Sequence, residues 1–185
     1  MLDQPTLSGE GQILLGILVV TAAVFDIRFR RIPNWLVLAG IVAGGIWNVY
    51  SSGFTGLGRS AAGLGLGFAL YFPLYLIRAR GAGDVKLLAA VGAITGPANC
   101  LWIFMTTAIA GGIIAVALLL VSGRLRKTLF NLSWIVTDIL HLRAPYKSSE
   151  ELDVTTNKGL RLPHGAMIAA GSLAFFLIAH RAFRN

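Results

Sequence analysis

The chain has 185 residues, 56% hydrophobic and only 13% charged, with a mean hydropathy of +0.73. Soluble domains run at about 45–50% apolar and about 25% charged, so this composition excludes a soluble globular enzyme and a disordered region. The formal charge of +8 sits in short basic clusters between apolar runs, the pattern of cytoplasmic loops rather than of a nucleic-acid-binding face. A single cysteine, Cys100, rules out an intrachain disulfide framework and any multi-cysteine zinc site. The expectation is an all-α polytopic membrane protein forming one domain over residues 1–185, with the lipid bilayer as a partner and no nucleic acid.

A spanning helix needs about 20 mostly apolar residues. The first predicted span runs from about Ile13 to Phe25 and the second from near Ile32-Pro33 to Tyr50. The third covers about Ala61 to Ile77. The fourth, about Val85 to Pro97, is short enough to be read as a re-entrant segment instead. The fifth runs from about Leu101 to Val121 and the sixth from about Gly165 to Ala179, giving about six transmembrane helices. Between these last two lies a polar loop over about 123–162. Within it Leu129, Leu132, Ile135, Val136, Ile139 and Leu140 recur at helical spacing. They predict an amphipathic helix over about Thr128 to Arg143, lying on the inner membrane surface. Ala144 to Lys158 is polar and aperiodic, and reads as a connector.

The N-terminal tail carries Asp3 and Glu10 but no basic residue, so it does not read as a cleaved secretory signal. With that tail outside, 13 of the 16 basic residues fall on the cytoplasmic side, leaving Arg59, Arg181 and Arg184 outside. The asymmetry sets the orientation, and the C-terminal arginines are its one local disagreement.

Only Asp26 and Asp84, of eight acidic residues, stand at the ends of spanning segments. An ionisable side chain at membrane depth is expensive and suggests function by default. Two full spans separate the pair, so both fall at the cytoplasmic face. Two close carboxylates in a poorly solvated site share one proton, leaving one base and one acid for a common water. That is the chemistry of aspartyl proteolysis, and it calls for no cofactor and no metal. Each aspartate also has a plainer reading. Asp26 precedes Arg28, Arg30 and Arg31, Asp84 lies near Arg80 and Lys86, and either could be an interfacial counter-ion. Asp84 could equally serve a helix N-terminus.

Gly81-Ala82-Gly83 stands directly before Asp84, and paired glycines permit close approach and backbone angles that other residues avoid. Here the chain resembles the type IV prepilin peptidases, membrane aspartyl proteases marked by a GxGD motif. Three segments carry the likeness: Asp26-Ile27-Arg28 leading to Ile32-Pro33-Asn34, Gly81-Ala82-Gly83-Asp84-Val85-Lys86-Leu87-Leu88-Ala89, and Leu162-Pro163-His164-Gly165. The resemblance implies that Asp26 and Asp84 are the catalytic pair and that Gly81 and Gly83 shape the backbone beside the substrate. Lys86, Asn34, Pro163 and Gly165 would line or shape the same site, although Lys86 also reads as a snorkelling lysine, Asn34 as a cap and His164 as an interfacial residue.

Larger bifunctional members carry an insert with paired cysteines linked to N-methylation of the cleaved pilin. This chain resembles the short Flp/Tad form without it, which puts methyltransferase activity in doubt. The implied substrates are prepilin or pseudopilin proteins, with a basic leader followed by an apolar helix. The implied location is the bacterial inner membrane, with the site facing the cytoplasm. Two other classes compete: a proton-coupled transporter component using the aspartates as relays, and a non-catalytic membrane assembly subunit. Glycines such as Gly63, Gly65, Gly67, Gly111 and Gly112 are expected to pack helices in any of the three. Oligomeric state stays open.

Overall fold

A computed structural model describes residues 9–77, 81–121, 123 and 164–182. The predicted amphipathic helix over Thr128 to Arg143, the connector after it, and Pro163 lie outside the described residues. All regular structure among the described residues is helical: α1 (Gly9–Phe29), α2 (Asn34–Leu76), α3 (Ala82–Val121) and α4 (His164–Ala182).

The 21 residues of α1 reach about 32 Å, enough for the roughly 30 Å hydrocarbon core of a bilayer. Leu15, Leu18, Val19 and Ala22 fall on one helical stripe and are buried. Ile13, Ile17, Val20, Val24 and Ile27 stay exposed on the other face. An apolar helix exposed on its apolar side suits lipid, not water. α1 ends where Arg30 takes a left-handed backbone (φ 53), its N–H still bonded to the Asp26 carbonyl at 2.9 Å. Pro33 follows in an extended conformation and sits just outside α2 as its N-cap.

α2 and α3 contain 43 and 40 residues. Straight, each would reach about 60–65 Å, twice the hydrocarbon thickness. Neither is straight. Gly53 (φ 60, ψ −142) breaks α2, and Gly96 (φ 77, ψ 173), followed by Pro97, breaks α3. A positive φ is open to glycine and costly for other residues, which explains glycine at both breaks.

Close packing shows that the chain doubles back at each break. A Cβ on Gly56 would strike the Asn48 carbonyl, and one on Gly92 would stand 3.1 Å from Cys100 Sγ. Residues eight apart in a continuous helix are separated by about 12 Å, so these contacts need a reversal. The two halves of α2 run in opposite directions along α3: Gly40 and Gly44 meet Ala90 and Ile94, while Gly63 and Gly67 meet Gly92 and Leu88. Likewise Thr107 lies on Gly171 and Gly111 on Met167, so α4 runs antiparallel to the second half of α3.

The centre of the bundle is the first half of α3. From Asp84 to Gly96 every residue except Lys86 is buried, with Leu87, Leu88, Ala90, Val91 and Ala93 fully enclosed. Small residues let the neighbouring helices approach, which is how apolar helices associate without a hydrophobic drive. Gly63 and Gly67, four apart, do this as expected, and Gly111 contacts Met167. Gly65 and Gly112 point into open space, so the packing role expected of them is not met.

The break at Gly96 would leave helix-terminal carbonyls orphaned in an apolar interior. Buried Asn48 answers this, its Nδ2 shared among the carbonyls of Gly44 (2.9 Å), Ala93 (3.1 Å) and Ile94 (3.1 Å). Ser60 Oγ adds a bond to the Ala93 carbonyl at 2.7 Å.

Three described helices are long and apolar enough to cross a membrane: α1, α2, and α3 over Ala82–Leu118. The break at Gly53 falls between the second and third predicted segments, and the break at Gly96 falls at the end of the fourth, one residue before Pro97.

Candidate active site

One end of the bundle gathers the end of α1, the α1–α2 connection and the starts of α3 and α4. Asp26 sits one turn before the end of α1 and is half-buried. Its Oδ2 accepts a hydrogen bond of 2.7 Å from the backbone N–H of Gly165, in the first turn of α4. That carboxylate therefore takes up one of the amides that a helix start leaves unpaired, at the end of the helix dipole that favours negative charge.

Asp84 lies in the first turn of α3 and is 7% exposed, a depth at which a carboxyl group is rarely found unless it is paired. Its N–H bonds to the Gly81 carbonyl at 3.2 Å. A Cβ on Gly81 would stand 3.9 Å from Asp84 Oδ2, so Gly81 borders this carboxyl group. Gly83 packs against Ile32 of the connection, 3.6 Å from where its Cβ would be. Neither glycine has a positive φ, and both distances are ordinary contacts. Neither uses a backbone angle closed to other residues, and a Cβ would fit at both positions, beside Asp84 and against Ile32.

Lys86 Nζ donates to Asn34 Oδ1 at 3.2 Å, tying the first residue of α2 to the second turn of α3. Both side chains are exposed. Two positions along a helix turn a side chain about 200°, so Lys86 points away from the buried side on which Asp84 lies. Arg28, Arg30 and Arg31 are exposed at the same end. Among the described residues no group of three or more His, Cys, Asp or Glu side chains is arranged to hold a metal ion.

Sequence reasoning singled out Asp26 and Gly165 separately and missed the bond between them. It also missed Asn48 and Ser60, whose role depends on carbonyls freed by a break 36 or more residues downstream. A polar residue inside an apolar run was the available signal for Asn48.

An all-helical, apolar bundle with two carboxylates at helix ends on one side defines a membrane protein with a candidate acid–base site. The chain matches the type IV leader peptidase family over residues 13–116, more than half its length, and belongs to that family. The matched stretch contains Asp26, Asn34, Gly81, Gly83, Asp84 and Lys86, whereas Pro163 and Gly165 lie beyond it. Neither the curated proteins nor the solved structures contain a match to this chain.

Proposed function

We propose that this protein is an aspartic endopeptidase that cleaves the basic leader from type IV or Flp prepilin-like proteins, with Asp26 and Asp84 as its catalytic pair. The observation that carries the reading is the packing of Ile32 on Gly83. It joins the segment that follows Asp26 to the residue that precedes Asp84, in a chain belonging to a family of leader peptidases.

In this reading each half of α2 and of α3 is a separate pass, which with α1 and α4 makes six. Asp26 then closes the first pass and Asp84 opens the fourth, so both face the cytoplasm at the bacterial inner membrane. A prepilin changes there from basic leader to apolar helix, and its scissile bond lies at that boundary. The exposed Arg28, Arg30 and Arg31 suit anionic headgroups rather than a basic leader.

The ionised aspartate takes a proton from water as the oxygen adds to the scissile carbonyl carbon. The protonated partner gives its proton to the carbonyl oxygen, and a tetrahedral diol forms. Collapse of the diol breaks the C–N bond. The first aspartate delivers its proton to the departing amine, and a diol hydroxyl returns one to the second. Gly81 and Gly83 leave space for the peptide backbone beside Asp84, and the Asn34–Lys86 bond ties the start of α2 to α3. With Cys100 as the sole cysteine, the residues for a methyltransferase insert of the paired-cysteine kind are lacking.

The test is incubation of the detergent-solubilised protein with a synthetic peptide joining a short basic leader to an apolar helix. Mass spectrometry should find a single cut between the two parts. An intact peptide, or cuts scattered elsewhere, would overturn the reading.

A further inference from the structure

We propose that Gly165 is a positioning residue for Asp26: its amide holds Oδ2, and its missing side chain makes the space in which the carboxylate is oriented. The inference rests on the peptidase reading and adds the device that aims one of its two acids. Two observations carry it. The Gly165 N–H reaches Asp26 Oδ2 at 2.7 Å, a short bond in a partly buried setting. A Cβ on Gly165 would lie 3.0 Å from Asp26 Cβ, 3.1 Å from Oδ2 and 3.3 Å from Cγ. A Cβ on Gly81 would stand 3.9 Å from Asp84 Oδ2, in ordinary contact, whereas one on Gly165 would press on the Asp26 carboxylate.

The consequence is geometric. Free to rotate, an aspartate at the end of α1 samples several rotamers, and few of them aim an oxygen at a shared water. A donor fixed in a helix backbone cannot rotate away. Binding Oδ2 leaves Oδ1 as the oxygen that takes the proton from water. The start of α4 is itself held, because the helix packs along the second half of α3 through Gly171 and Met167. Thr106 Oγ1 adds a 3.0 Å bond to the Gly171 carbonyl. α4 therefore acts as a splint, carrying rigidity from the α3 interface to the Asp26 carboxylate.

The experiment compares Gly165→Ala with Gly45→Ala, which adds a methyl group on α2 where nothing lies within 4 Å. Both are assayed on the leader–helix peptide, and folding is followed by thermal unfolding. Misplacing a catalytic group by a fraction of an ångström to an ångström costs roughly ten- to a hundredfold in rate. Gly165→Ala should lose that much in kcat with KM within about twofold, while Gly45→Ala keeps the wild-type kcat. If Gly165→Ala fails to fold, a backbone ester at position 165, which replaces the N–H by oxygen and adds no atom, should show the same kcat loss. Full kcat in a folded Gly165→Ala protein or in the ester protein overturns the proposal, as does an equal fall in both alanine variants. A wild-type protein that leaves the peptide uncut overturns the peptidase reading itself, which separates the two failures.

Discussion

Asp26 and Gly165, 139 positions apart, are joined by a 2.7 Å hydrogen bond between a carboxylate oxygen and a helix-start amide. The last described helix thus meets the first at an acid, and the bond links the beginning of the fold to its end. A carboxylate at the end of α1 stands at the negative end of its own helix, where it is disfavoured. The start of α4 offsets this by presenting an amide and a positive dipole end.

The crossing of α2 and α3 brings backbone against backbone, and glycine there is a steric requirement. A Cβ on Gly63 would strike the Gly92 carbonyl, and one on Gly92 would strike the Gly63 carbonyl. Backbone cannot yield as a side-chain tip can. Gly63→Ala and Gly92→Ala should each lower stability by about 1–3 kcal/mol, as overpacked cores do. Thermal unfolding in detergent reads the loss. Gly45→Ala, where nothing lies within 4 Å, should be neutral or slightly stabilising.

Asn48 should matter for a different reason. Replacing it by Ala removes the donor shared by the Ala93 and Ile94 carbonyls, and a buried acceptor left unpaired costs about 1–3 kcal/mol. Asn48→Asp should be worse, since it brings an acceptor to carbonyls that need a donor. The unfolding midpoints should fall in the order wild type, Asn48→Ala, Asn48→Asp.

Arg30 points the other way. Its left-handed backbone costs an L-residue about 1–2 kcal/mol, part of which glycine gives back as unfolded-chain entropy. Arg30→Gly should raise stability by about 0.5–1 kcal/mol in the same unfolding assay. Arg28 and Arg31 keep the end of α1 basic.

Much of this bundle is legible in the sequence because spans are written in hydropathy, and turns in glycine and proline. The predicted gap between Tyr50 and Ala61 contains the break at Gly53, and the predicted end at Pro97 abuts the break at Gly96. Asp84 stands out by being an acid at a span boundary. What hydropathy does not carry is pairing. Gly63, Gly65 and Gly67 look alike in a string, yet only the first and last, one helical turn apart, face α3. The Asp26–Gly165 bond and the Asn48 cap depend on which helices are neighbours, and composition along one strand of chain holds no record of that.

Hydrolysis by two carboxylates calls on no metal. Saturating EDTA should leave the rate on the leader–helix peptide within about twofold of the untreated value. Strong loss restored by a divalent ion would place a metal in the chemistry.

The most direct measurement is the leader-removal rate of Asp26→Asn and Asp84→Asn, each compared with wild type at equal membrane-inserted amount. An amide can neither take the proton from water nor share one with its partner. Each variant should therefore lose at least about a thousandfold in rate while inserting normally, as single deletions from an interdependent catalytic set do. Normal leader removal by either variant would contradict the account.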